Sequence, residues 1–306
     1  MVHVPPDVAG ERAVTLKTRL QLAVLHFVAV AAGVLPRHTV AEPLCRLAGG
    51  LWYLGAPAAR AAVQANLRHI LGREPTRRQV VAVFANGVLN YWDIFAIPHL
   101  SRDTLLGLMD IRGLEHVDAA RAAGHGVVAA TAHLGSVSLV GQLLPALGYE
   151  TLGLLEPIQP PELYEFFARQ RNAGGVRLLQ VGPAALRELL EGLKRNAILG
   201  IVTDRDIDGH GPMVPFFDAP TRFPDGVAAL SLRTGAPILV AIPTRLPDGR
   251  FIALFEPLPP VALTGDRKAD LRLLTQAVAR RLEYHIASHP EQWTVFQKRW
   301  PDAQPR

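Results

Sequence analysis

Two short runs free of charge, GVVAAT at 126–131 and ILGIVT at 198–203, constrain this chain more than any other feature. A strand that is apolar at every position must be covered on both faces, and parallel strands layered between helices meet that need. Further strands fit 151–155, 237–244 and 250–255, and helical stretches fit 136–146, 161–172, 183–195 and 266–288. This alternation predicts an α/β sandwich with a mostly parallel central sheet flanked by helices.

The first third reads differently. Helices fit 15–35, stopped by Pro36, then 40–54, then 57–71 with Pro57 at its start and Gly72 just past its end, then 76–97. Residues 1–112 are expected to form a helical layer and 113–306 an α/β core, within one domain of 306 residues. The opening MVHVPPDVAGER does not read as a signal peptide. The apolar stretch 20–35 holds 16 residues, is interrupted by Gln21 and His26, and is flanked by Arg12, Lys17, Arg19 and Arg37. Spanning a bilayer takes about 20 apolar residues, so a helix lying in the interface with its cations at the headgroups fits better. A buried core helix accounts for the same segment equally well.

Composition narrows the partners. Hydrophobic residues make up 49% and charged residues 19%, and the 32 basic against 27 acidic side chains leave a net charge of +5. A basic chain favours nucleic acid, anionic lipid or acidic substrates. No lysine-rich run, zinc-finger spacing or aromatic RNA-binding motif is present, so nucleic acid is not expected. The basic residues are mostly arginine, which suits phosphate and carboxylate contacts. The single cysteine, Cys45, excludes a disulfide framework and a cysteine-based metal cluster.

Ligands in open α/β sheets bind beyond the carboxyl ends of strands. Two polar clusters lie there. His133 follows the first apolar run in TAHLGS, and TDRDIDGHGP at 203–212 follows the second with Asp204, Arg205, Asp206, Asp208 and His210. A histidine at a strand exit can take a proton from an alcohol, while amides at the start of the next helix, near Gly135 and Ser136, hold the developing oxyanion. The acids of the second cluster are within reach of a histidine on a neighbouring strand. A metal site is not expected, because Asp208, Gly209 and Gly211 have the character of a turn. GSVSLVG does not spell the nucleophile elbow G-x-S-x-G, so a serine nucleophile is disfavoured.

VTDRDIDGHGPMVPFFDAPTRFPDGVAALSLRTGAP at 202–237 resembles the bacterial lipid A biosynthesis (lauroyl/myristoyl) acyltransferase family, and within it the phosphatidylinositol mannoside branch. HLGS at 133–136, PELYEFFARQR at 161–171, NLRHILG at 66–72 and HPEQWTVFQKRW at 289–300 agree in the same order. The resemblance implies direct acyl transfer from an acyl thioester, carried by CoA or acyl carrier protein, to a hydroxyl of a glycolipid or phospholipid. The thioester is a cosubstrate and no other cofactor is implied. The protein is then expected to sit peripherally at the cytoplasmic face of a membrane with an anionic surface. The family's general base, the histidine of an H-x4-D/E motif, falls on His133. Ser138 stands where that motif has its acid.

A serine cannot supply the charge that stabilises an imidazolium. Asp206 is therefore the expected replacement acid, with Glu156 second and Asp204 a further candidate. Asp204, Arg171, Arg205, Gly135, Ser136 and Ser138 are the expected substrate-binding residues, with both arginines suited to phosphate. Arg171 on its own equally fits a solvated cation in the last turn of a helix. The loss at Ser138 also leaves open a non-catalytic homologue that binds lipid or acyl carrier protein, or a thioesterase.

Overall fold

The computed structural model describes residues 15–206 and 209–300. Four helices come first: α1 (Leu16–Val34), α2 (Glu42–Gly55), α3 (Pro57–Leu71) and α4 (Arg77–Ala96). The α/β part follows as α5 (Arg102–Gly107), β1 (Met109–Arg112), α6 (Leu114–Arg121), β2 (Val127–Thr131), α7 (Val137–Val140), α8 (Leu143–Ala146), β3 (Thr151–Leu155), α9 (Pro161–Asn172) and β4 (Arg177–Gln180). It continues as α10 (Pro183–Lys194), β5 (Ile198–Val202), β6 (Met213–Phe216), β7 (Ala219–Arg222), α11 (Gly226–Thr234), β8 (Ile238–Arg245), β9 (Phe251–Pro257) and α12 (Arg267–Ser288).

Seven strands form one sheet in the order β1-β9-β8-β2-β5-β3-β4. Strands β8, β2, β5, β3 and β4 run parallel, whereas β9 is antiparallel to β8 and carries β1 alongside it. The expected mostly parallel sheet is therefore present, with β2 and β5 at its centre. Every residue of β2 is buried, and the two-residue period of a strand divides them between two cores. Val128 and Ala130 join the core that α10, α11 and α12 cover, with Leu193, Val227 and Leu282. Val127 and Ala129 join Leu105, Val117 and Leu143 from α5, α6 and α8 on the other face.

One expected helix is broken. Residues 136–146 form α7 and α8 with an interruption at Gly141 and Gln142. Pro145 has no N–H to return to the carbonyl of Gly141, so the helix cannot run through. The short strands β1 and β4, the hairpin β6–β7 and the helix α11 are additions to the elements expected from the sequence.

In the helical layer α4 is the hub. It opens with a reciprocal Thr76–Gln79 capping box and buries Val80, Val83, Phe84 and Leu89. It meets α2 where Gly49 lies on Ala85; a Cβ at position 49 would stand 2.5 Å from the Ala85 Cα. Phe84 makes edge contacts with Trp52, Tyr53 and Phe296, which ties α2, α4 and the C-terminal segment together. By length and composition the segments Leu16–Val34 and Arg77–His99 could each cross a membrane. The second is mostly buried within the protein, whereas α1 buries only Thr18 and Ala29. Phe84→Ala is expected to cost about 3–5 kcal/mol of stability, as for large aromatic deletions in cores, measured by urea unfolding.

Candidate active site

The parallel register of β2 and β5 builds the site. Thr131 is level with Val202, so each strand, continued by two residues, delivers its polar side chain at the same height. Those residues are His133 and Asp204. The imidazole Nδ1 lies 2.7 Å from Asp204 Oδ1, and the backbone N–H of His133 donates to Asp204 Oδ2 at 2.9 Å. Asp204 is fully buried, while the His133 side chain keeps 27% of its surface open.

A third donor completes the carboxylate. Trp293 Nε1 donates to Asp204 Oδ2 at 2.7 Å from a buried indole. Arg299 Nε donates to the Asp204 carbonyl at 2.6 Å and holds the strand exit in place. Burial alone would push the Asp204 carboxyl up. The charge of the facing His133, the bonds from its ring and from Trp293, and the His133 N–H together outweigh that and hold it below the usual carboxylate range. An ionised Asp204 can only accept, so Nδ1 carries the proton between them, and in the neutral imidazole Nε2 then keeps its lone pair. That is the protonation pattern a general base needs.

Asp204, and not the expected Asp206, is thus the acid against His133. Asp206 lies two residues past the level of His133, and its Oδ2 accepts from Gly211 N at 3.1 Å to close the following turn. Glu156, which follows β3, does not reach the histidine either. It is 43% exposed and pairs with Arg205 Nη1 at 3.8 Å. Ser138 has its carbonyl bound by Gln142 Nε2. Among the described residues no group of three or more His, Cys, Asp and Glu is arranged to hold a metal; Asp208 lies outside the described residues.

One of the two expected oxyanion donors needs correcting as well. Gly135 N–H is committed to the carbonyl of Gln292 at 3.1 Å. Gly135 itself has φ +55°, and a Cβ there would meet the Pro243 carbonyl at 2.5 Å, so its place is structural. Ser136 is buried and its Oγ has no hydrogen-bond partner. Arg171, at the end of α9, is not the solvated cation its position also allowed. Its Nε is sealed from solvent without a hydrogen bond, and its guanidinium stands 5.7 Å from the Phe167 ring. Burial pulls it below its usual value, opposed by Tyr91 and Glu156. Glu156 therefore pairs with Arg205 and acts electrostatically on Arg171, and none of the three bonds the histidine.

Trp293 and Arg299 were not singled out by sequence reasoning. Their signal was the HPEQWTVFQKRW ending, which matched a family without any physical role being visible in it.

A strand-exit histidine held by a buried carboxylate, at the carboxyl end of a mostly parallel sheet, is an arrangement suited to proton transfer from a hydroxyl, and the chain's relatives are acyltransferases. The chain belongs to the bacterial lipid A biosynthesis acyltransferase family, whose model matches residues 13–302. It is 30% identical over 260 residues to a phosphatidylinositol mannoside acyltransferase of Mycobacterium tuberculosis, covering 82% of this chain and 80% of that one. Its similarity to the enzyme of the same name from Mycolicibacterium smegmatis is 26% over 257 residues, covering 82% and 83%.

Asp204→Asn places an amide where three donors converge and favours the wrong imidazole tautomer. Turnover is expected to fall by about three to four powers of ten, as when such a carboxylate is neutralised elsewhere, measured as acyl transfer at saturating substrate. Because the native carboxyl is held low, its stabilisation is present at neutral pH and is lost as pH falls through the folded value. The stability gap between the native protein and Asp204→Asn should accordingly shrink below about pH 4, read from urea midpoints across pH.

Proposed function

We propose that the protein moves a fatty acyl group from an acyl thioester to a hydroxyl of a membrane glycolipid or phospholipid, with His133 as general base and Asp204 as its orienting acid. The observation that carries this reading is the fully buried Asp204 carboxylate bonded to His133 Nδ1 at 2.7 Å. It supplies from β5 the charge that Ser138 cannot.

In the scheme, His133 Nε2 takes the proton of the acceptor hydroxyl as the oxygen attacks the thioester carbonyl. Asp204 stabilises the imidazolium that forms. The tetrahedral intermediate collapses, the C–S bond breaks, and the imidazolium returns its proton to the leaving thiolate. The donor, acyl-CoA or acyl carrier protein, enters as a cosubstrate, so no resident cofactor takes part. Arg171 and Arg205 are suited to phosphates of donor or acceptor. The names of the similar mycobacterial enzymes make a phosphatidylinositol mannoside the first acceptor to try.

The reading also places the protein on a membrane surface, at its cytoplasmic face. On α1 the side chains Leu16, Leu20, Val24, Phe27, Val30 and Val34 are 55–83% exposed. They recur every three or four residues, so they share one stripe. On α2, Leu44, Leu47, Leu51 and Leu54 repeat the pattern at 51–62% exposure. Each stripe is an exposed apolar face of the kind that marks a membrane contact. Charge agrees with this. Residues 16–96 carry nine basic and three acidic side chains, an excess of six against five for the whole chain.

Purified protein given acyl-CoA or loaded acyl carrier protein, with and without lipid acceptor, tests the chemistry. Acceptor-dependent thiol release that His133→Ala abolishes is the expected result. Release without acceptor would identify a thioesterase, and lipid binding without release a non-catalytic homologue. For the surface, Leu20→Asp with Phe27→Asp is expected to reduce co-sedimentation with anionic vesicles at least tenfold. Salt at about 1 M, where the screening length is about 3 Å, should weaken binding by the native protein. Equal binding to neutral and anionic vesicles would contradict the electrostatic part.

A further inference from the structure

Behind the base lies a buried ionic cluster that the scheme above does not use. Asp93 on α4 is fully buried and accepts from two guanidiniums, Arg37 Nη2 at 2.7 Å and Arg245 Nη2 at 2.5 Å. Both arginines also stand over the Phe251 ring, at 4.8 and 5.0 Å. A carboxylate taken so far from water is retained only with strong partners, and removing one side of such a cluster is costly. The question is what the cluster holds.

Two hydrogen-bonded arms lead from it to the catalytic segment. In the first, Arg245 Nη2 also donates to Asn90 Oδ1 at 3.1 Å, and Asn90 Nδ2 donates to Thr294 Oγ1 at 3.2 Å. Thr294 in turn donates twice to the His133 carbonyl, from its N–H at 2.8 Å and from Oγ1 at 3.2 Å. In the second arm the side-chain amide of Gln292 bridges the backbone of Arg245, accepting from its N–H at 2.8 Å and donating to its carbonyl at 2.9 Å. The Gln292 carbonyl then accepts the Gly135 N–H. The arms grip the segment on either side of Leu134, whose backbone bridges Trp293, the residue that completes Asp204.

We propose that Asp93, Arg245 and Asn90 form a buried clamp that positions His133 against Asp204, acting through Thr294 and Gln292. Asp93 is in this sense a positioning residue for the transfer reaction, remote from substrate. The proposal rests on the reading of His133 as general base. It follows from two facts of geometry. The strand β2 ends at Thr131, so the backbone beyond it has no strand partner to fix its height. The carbonyl of His133 and the amide of Gly135 are instead held by side chains and turns whose own positions trace back to Arg245. An ångström of freedom there would lengthen the bond to Asp204, and misplacement on that scale can cost about a hundredfold in rate.

The clamp is tested in the full-length protein with Thr294→Val and Gln292→Met, which keep side-chain volume and remove one link in each arm. Asp93→Asn would leave two guanidiniums buried without charge balance and is the harsher third variant. Turnover is followed with long-chain acyl-CoA and a phosphatidylinositol mannoside. The Nδ1 proton of His133 is followed by NMR as a downfield resonance, identified by its loss in His133→Ala. In a double variant with an unchanged unfolding midpoint, kcat should fall about 10- to 100-fold with KM for the thioester unchanged, and the resonance should broaden or move upfield. Either kcat or the resonance at its native value overturns the clamp. The single variants give the same readings should the double one unfold. Native turnover in His133→Ala would sink the general-base reading instead, and the resonance alone would then judge the clamp.

Discussion

A carboxylate withdrawn completely from water must have every charge and lone pair answered by the protein around it. For Asp204 the answers come from three parts of the chain: the ring and backbone of His133 after β2, the indole of Trp293 beyond α12, and, at its carbonyl, Arg299. Loss of a donor from His133 or Trp293 would leave a buried anion short of a partner, at a cost of roughly 1–3 kcal/mol or more for a charged group, and loss of Arg299 would leave the carbonyl without its donor. The same set of bonds fixes the tautomer and the direction of the imidazole. Stability and chemistry therefore depend on one cluster, and the C-terminal segment is as much a part of the site as the sheet.

The helical layer contributes to that cluster from behind. Helix α4 is packed on one side against α1 and α2 and on the other carries Asn90 and Asp93 toward the residues that hold His133. Arg37, the first charged residue after α1, shares the Asp93 carboxylate with Arg245 from β8. The segment that follows the exposed helix α1 and the end of β8 thus meet at one buried acid on α4.

Most of the architecture was legible because burial leaves a simple signature. The runs at 126–131 and 198–203 are apolar throughout only because helices cover both faces, and they became β2 and β5. Proline and glycine marked the bounds of α3 to the residue. Where a segment is short or half-exposed the signature fades, as in β4 with its exposed ends, and where Pro145 interrupts an otherwise helical pattern the local reading runs on too far. The histidine was legible from its place at a strand exit. Its carboxylate partner was not: the sequence favours Asp206, then Glu156, over Asp204, because all three follow apolar strands and only the relative height of two strands brings Asp204 to the imidazole.

Amino-acid order alone determined the layered α/β class, the central strands, the histidine and the family, since each depends on residue type and local period. Tertiary structure decided which acid faces the imidazole, that Trp293 donates to it, that Gly135 spends its amide on Gln292, and that Asp93 joins α1 to the core. Those choices are settled by strand register and by contacts between residues 56 to 157 positions apart in the chain. Such distances are set only when the hydrophobic faces have closed on one another, so no local pattern encodes them.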